Sequence, residues 1–238
     1  MRALVIVPTY NERHNLPYLA EQLLALPGVH MMVVDDGSPD GTGETADALA
    51  ASHRGRFEVV HRTGTRGLGR SYIEGMQRAL LHTIAPLICQ MDADLSHLPA
   101  DLPRLLDAAS HADLVIGSRY IRGGRVVNWP RRRVWLSTFA NHYVRGLTRV
   151  PVRDVTSGFR CWRRETLLRL PLAGLRSDGY AFQVEMTWHA CAAGARIVEV
   201  PVTFVERRQG QSKLSGRVIV GSVFLPLRLA AQRKRGAP

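Results

Sequence analysis

Short apolar runs recur through the first half of the chain, and each is closed by a polar turn. Residues 3–7, 31–34, 57–60, 87–91 and 114–117 are too short for helices, so these runs predict buried strands. Between them lie stretches with helical spacing. The clearest puts Leu16, Leu19, Leu23 and Leu26 on one face of a helix over 11–26. Others cover 42–51, 67–81 and 99–109. Strands alternating with helices predict a three-layer α/β fold, a mainly parallel sheet with helices on both faces.

After Tyr120 the alternation loosens. Residues 122–133 read as a Gly- and Arg-rich loop, 134–147 and 180–193 as helices, and 197–205 as a late strand interrupted at Pro201. The expected catalytic domain covers 1–214. The remainder, 215–238, reads as an amphipathic basic tail: an apolar stretch over 218–227, then Arg228, Arg233, Lys234 and Arg235. That stretch is too short to span a bilayer, and Pro226 is expected to disturb a long helix. Two readings stay open for it, a helix packed on the domain or one lying on an anionic membrane.

Composition narrows the choices. A chain of 238 residues with 45% hydrophobic content supports one well-buried core. No apolar run reaches the roughly eighteen residues of a membrane span, and the N-terminal run reads as a strand and not a secretory signal. Cys89, Cys161 and Cys191 lack ligand spacing, which predicts structural thiols in a reducing cytosol. The net charge is +12, unevenly placed. Fourteen of the twenty acids precede residue 114, whereas 114–153 hold nine arginines and no acid. Such a surface attracts phosphates.

In open α/β sheets, ligands bind beyond the carboxyl ends of the strands. Polar clusters occupy three such positions: 8–12, 35–41 and 92–97. The sharpest is Asp92-Ala93-Asp94. Alternate side chains of an extended segment point the same way, so the two carboxylates repel unless a cation lies between them. Hard divalent ions, Mg2+ or Mn2+, suit such oxygen ligands together with substrate phosphates. A nucleic-acid-binding protein, suggested by the charge, leaves these acids unexplained. A nicotinamide dehydrogenase expects a Gly-x-Gly-x-x-Gly turn after the first strand, where this chain has Pro8-Thr9-Tyr10-Asn11-Glu12.

Those residues, with 34–42, Gly67-Leu68-Gly69, 91–97, 117–120, 157–160, 201–207 and 210–213, resemble family-2 glycosyltransferases. Within that family the chain looks like dolichol-phosphate mannose synthases and their bacterial polyprenyl-phosphate relatives. The resemblance runs from residue 3 to about 215 and implies a GT-A fold, the nucleotide-diphospho-sugar transferase arrangement. It implies that Pro8, Tyr10, Glu12, Val34 and Asp36 hold the nucleotide, with Ala93 near the nucleotide sugar. Asp92 and Asp94 are implied around the metal, with Ser96 a weaker ligand where relatives often have Gln. Arg119, Arg207 and Lys213 are implied at phosphates, and Asp94 and Arg119 as the catalytic pair. GDP-mannose as donor, polyprenyl phosphate as acceptor and inversion also follow from the resemblance. UDP-glucose as donor and a hydroxyl acceptor remain alternatives. A peripheral position at the cytoplasmic face of a membrane is expected, held there by the lipid surface or by a membrane-anchored partner.

Chemistry favours a phosphate acceptor independently. A phosphate monoester has its second pKa near about 6, so it is largely dianionic at neutral pH. It needs cationic positioning more than a general base. Asp154 is a nominal base, but it is read here as shaping the loop over 156–158.

Overall fold

The structure, a computed structural model, describes residues 1–206 and 216–234, with side chains of the last helix over 223–232. The predicted strands appear as β1 (Ala3–Thr9), β2 (Val29–Asp35), β3 (Phe57–His61), β4 (Leu87–Gln90) and β5 (Leu114–Ser118). The helices of this half are α1 (Leu16–Leu24), α2 (Thr42–Ser52), α3 (Leu68–His82) and α4 (Leu102–Ala108), the last preceded by a 3-10 turn at Pro99–Asp101. The first helix starts later than its apolar stripe suggests, because Asn11 adopts φ +58° and the chain turns before Leu16.

The second half contains β6 (Arg125–Val127), α5 (Arg131–Thr148), β7 (Arg160–Arg163), α6 (Arg164–Leu168), α7 (Gly179–Ala192), β8 (Ile197–Pro201), β9 (Thr203–Val205) and α8 (Gly216–Lys234). The expected 122–133 loop therefore includes a short strand and the first turn of a helix. The last helix runs through Pro226, against expectation.

Seven strands form the central sheet in the order β3-β2-β1-β4-β7-β5-β8, and β6 and β9 form a separate parallel pair. Only β7 runs against the others. This single reversal matters for the site. The carboxyl ends of β1, β2, β4 and β5 lie at one sheet edge, and an antiparallel β7 must begin at that same edge. The loop entering β7, residues 154–159, is thereby delivered to the acidic clusters. The order also reverses direction at β1, which pairs β2 on one side and β4 on the other, a topological switch point.

The core has two sides. Leu4, Ile6, Met32 and Val34 pack under Tyr72 and Met76 of α3 on one face. Val5, Val7, Met31 and Val33 pack against Leu16, Leu19 and Leu23 of α1 on the other. Alternation along β1 and β2 thus feeds both layers. Gly75 lets α3 lie close to the sheet, since a Cβ there would come 2.7 Å from Ile6 Cγ2. The C-terminal helix joins the core through Leu225 and Leu229, and the Tyr143 hydroxyl of α5 donates to the Val223 carbonyl of α8 at 2.9 Å.

Candidate active site

Each acidic cluster is held by its own local hydrogen bonds. Asp35, at the end of β2, accepts from Thr9 Oγ1 at 3.0 Å and from Ser38 Oγ at 2.6 Å, which ties the first edge loop to the second. Glu12 secures its loop by donating its N–H to Thr42 Oγ1 (2.9 Å) and accepting from Asn15 Nδ2 (2.8 Å). Asp36 accepts from the buried Arg62 guanidinium and from the Gly67 N–H at 2.7 Å. Arg66 lies over the Tyr10 ring, 4.4 Å from its centroid, and bonds its hydroxyl, so the loop before α3 folds over the first edge loop. Pro8 lies in register with Val34. The Val34 side chain does not line the cleft. It is buried against α3, so the nucleotide contact implied for it is not available to that side chain.

The Asp92–Asp94 segment follows β4. Asp94 and Ala93 are buried, and Asp92 is partly exposed. Asp94 Oδ1 accepts from the Ser96 N–H at 3.0 Å and from the Ser96 hydroxyl at 2.5 Å. Ser96, implied as a weak metal ligand, is wholly buried here, and what it visibly does is orient Asp94. Leu95 between them has φ +60°, a conformation a leucine adopts only when its surroundings impose it. Asp92 accepts from the Tyr72 hydroxyl at 3.2 Å. Burial, reinforced by Asp92, holds the Tyr72 phenol well above its usual pKa, so it remains a donor.

The β7 loop meets this segment at Gly158. A Cβ there would stand 3.3 Å from Asp92 Oδ2 and 3.4 Å from Oδ1, so glycine lets the loop lie close against the carboxylate. Beside it, His97 is buried, stacks on Phe159 at 5.2 Å and meets Phe204 of β9 edge-on at 5.2 Å. Burial lowers the His97 pKa, and its Nδ1 accepts from the Asp92 N–H at 3.4 Å. Phe204 in turn meets Trp129 edge-on at 5.3 Å. An aromatic wall thus joins the acidic segment to the start of α5. The sequence reading carries His97 and Phe204 only inside the 91–97 and 201–207 segments and gives no role to them or to Trp129, because nothing in their spacing marks contacts between residues so far apart in the chain.

Arg119 lies on that wall, but not as a surface cation. Its Nε and Nη2 donate to the two Asp154 oxygens at 2.7 and 2.6 Å, its N–H donates to Oδ2 at 2.8 Å, and Nη2 also reaches Thr156 Oγ1 at 2.9 Å. Both residues are buried, and although burial alone would lower it, the charge and hydrogen bonds of Asp154 raise the Arg119 pKa above its ordinary value. Asp154 thereby ties its loop to Arg119, as its reading as a loop-shaping residue expects. Arg119 and Arg133 flank the same Trp129 ring, at 5.5 and 4.0 Å, and Arg133 also pairs with the part-exposed Glu206 at 3.0 Å. Arg133 is a second candidate cation that the sequence reading did not single out. Arg207 and Lys213 lie outside the described residues.

Arg160, at the start of β7, is fully buried. It donates to the Ser157, Val155 and Gln183 carbonyls and to Thr187 Oγ1 at 2.7–3.0 Å. Burial pushes its pKa down to about 9, so it remains cationic at neutral pH and staples the loop that carries Gly158.

Among the described residues no three His, Cys, Asp or Glu gather as a closed metal cage. The Asp92 and Asp94 carboxylates, carried on one short segment after β4, are oxygen ligands of the kind that fit a hard divalent cation completed by substrate oxygens.

Comparison with known proteins agrees with this geometry. The glycosyl transferase family 2 profile matches residues 4–170. The chain is 51% identical over 225 residues to the polyprenol monophosphomannose synthase of Mycolicibacterium smegmatis, covering 94% of this chain and 84% of that protein. It is 47% identical to the undecaprenyl-phosphate mannosyltransferase of Micrococcus luteus, covering 92% and 90%. It is 37% identical to the dolichol-phosphate mannosyltransferase of Pyrococcus furiosus, covering 92% of this chain but 61% of that longer protein. Among solved structures, glucosyl-3-phosphoglycerate synthase from Mycobacterium tuberculosis, in complex with Mn2+, UDP and glucosyl-3-phosphoglycerate, shares the fold. Its TM-score is 0.67 at 19% identity, over 99% of this chain and 80% of that one. The three-layer architecture is therefore the GT-A fold, and the chain belongs to glycosyl transferase family 2, as a glycosyltransferase.

Proposed function

We propose that this enzyme transfers mannose from GDP-mannose to a polyprenyl phosphate, inverting the anomeric carbon, with Mg2+ or Mn2+ held at Asp92 and Asp94. The observation that carries the reading is 51% identity across nearly the whole chain to a polyprenol monophosphomannose synthase. The site supports it. The bound cation would neutralise charge on the departing diphosphate. Asp94 is oriented for that task by Ser96, and Asp92 by the Tyr72 hydroxyl. The acceptor arrives already dianionic, so the chain has to bring it in line and not deprotonate it. Arg133, beside the buried Arg119–Asp154 pair, is placed to receive that charge, with Arg207 and Lys213 as further candidates from sequence.

The reading is tested with radiolabelled GDP-mannose beside UDP-glucose, polyprenyl phosphate and Mn2+. Label is expected in the lipid phase from GDP-mannose alone, and is expected to vanish with a chelator. Label from UDP-glucose alone would correct the donor, and chelator-resistant transfer would remove the metal role.

A further inference from the structure

Gly67-Leu68-Gly69 opens α3, and its two glycines have no part in the site described so far. Gly67 has φ 162°, an extended backbone that any residue adopts. What forbids a side chain there is one carboxylate. A Cβ on Gly67 would stand 2.5 Å from Asp178 Oδ2 and 3.0 Å from Asp178 Cγ. A Cβ on Gly69 would stand 2.6 Å from the Ser177 carbonyl oxygen. The chain that enters α7 therefore lies directly on the first turn of α3.

Hydrogen bonds hold it there. Asp178 Oδ1 accepts from the Gly69 N–H at 2.6 Å and from the Gly179 N–H at 2.8 Å, so one carboxylate serves the starts of two helices. Both helix dipoles favour an acid at that point. Behind the contact, the Ser177 N–H donates to Glu185 Oε2 at 3.3 Å and Phe182 of α7 stacks on Tyr72 of α3 at 6.0 Å. The first turn of α3 is thus shared between two acids. Gly67 gives its N–H to Asp36, and Gly69 gives its N–H to Asp178. The loop before Gly67 carries Arg62, which pairs with Asp36, and Arg66, which lies over Tyr10 and bonds the Gly37 carbonyl at 3.2 Å.

We propose that Asp178 and Gly67 form a lock that holds the 62–67 loop against the nucleotide site, and that Asp178 is a positioning residue for donor binding. It acts through the backbone of α3, whose start it clamps from the side opposite Asp36. The inference rests on the proposed function only in placing a nucleotide at Tyr10, Glu12 and Asp36. The competing role for Asp178 is a bare helix cap. The two roles differ in what they move. A cap changes stability alone, whereas the lock also changes nucleotide affinity.

The test is a double-mutant cycle in the full chain, read by calorimetric titration of GDP with Mn2+ present and by melting temperature. Asp178→Ala should weaken GDP about tenfold, because the loop loses its anchor and must be ordered on binding. Gly67→Ala should weaken it to a similar extent, because the new Cβ pushes the carboxylate off. Gly67→Ala/Asp178→Ala should bind no more weakly than Asp178→Ala, since removing the carboxylate makes room for the Cβ. Asp178→Asn keeps an acceptor for both amides and should bind GDP within about threefold of the parent. In transfer, Asp178→Ala should raise the donor KM and leave kcat nearly unchanged, the pattern of lost binding and not of lost chemistry. Unchanged GDP affinity in Asp178→Ala beside a lowered melting temperature would overturn the proposal and leave a cap. Additive losses in the double variant would also overturn it, because the two residues would then act apart. The Asp178→Ala and Asp178→Asn pair decides the matter even where Gly67→Ala fails to fold. A parent that binds UDP and not GDP would correct the donor, and the same cycle read with UDP decides the lock. GDP binding that follows the cycle in a parent that transfers no mannose would count against the proposed activity and leave the lock standing.

Discussion

Residues 1–113 and 114–206 supply the same sheet edge by different physical means. The first part brings acids to the ends of parallel strands and holds them with short local bonds, such as Ser96 to Asp94 and Ser38 to Asp35. The second part brings arginines, and these divide into two populations. Arg119 and Arg160 are buried and act as staples, one on a carboxylate and one on carbonyls. Arg131 and Arg132 are exposed and Arg133 is partly so. A basic stretch is thus not one surface. Burial separates the arginines that hold loops together from those that stand at the surface.

Four substitutions sharpen that contrast, from the largest expected effect to the smallest. Asp94→Ala should lower kcat about 1,000-fold or more, with little change in melting temperature. Near-normal turnover would remove the carboxylate from the chemistry. Arg119→Ala should behave oppositely at first, as a folding defect. It leaves Asp154 buried and unpaired, at about 3–5 kcal/mol, which a melting curve reads as a drop of roughly 6–20 °C. An unchanged melting temperature would show that the pair is not the staple described. Gly158→Ala adds a Cβ 3.3 Å from Asp92 Oδ2 and should cost about tenfold in kcat/KM with a nearly intact fold. Unaltered kinetics would mean that the gap beside Asp92 is not used. Glu206→Gln breaks a part-exposed pair and should change stability by under about 1 kcal/mol. It should also lower the KM for a phosphate acceptor by relieving Arg133. A raised KM would place Glu206 itself in acceptor binding.

The legibility of the chain follows the same division. β1, β2, β4 and β5 are short apolar runs closed by polar turns, and their positions agree with the sequence reading to within two residues. β7 was not read, because Arg160-Cys161-Trp162-Arg163 is short and flanked by charge. The burial of Arg160 depends in part on the Gln183 carbonyl and the Thr187 hydroxyl, 23 and 27 positions away. Arg119 has the same difficulty, since its partner lies 35 positions away. Asp92 and Asp94 were legible because their spacing carries the chemistry. The aromatic wall of His97, Phe204 and Trp129 was not, because it exists only once β9 is brought beside the acidic segment, where the Val205 N–H donates to the Ser96 carbonyl.

In the proposed reaction, acids serve the donor and cations serve a phosphate acceptor. The most direct measurement compares polyprenyl phosphate with the corresponding polyprenol, at matched chain length, in the same vesicles with GDP-mannose and Mn2+. Transfer to the phosphate alone, abolished in Asp94→Ala, is the predicted result. Comparable transfer to the alcohol would contradict it, because a hydroxyl needs a base, and the nominal candidate, Asp154, is buried beneath Arg119.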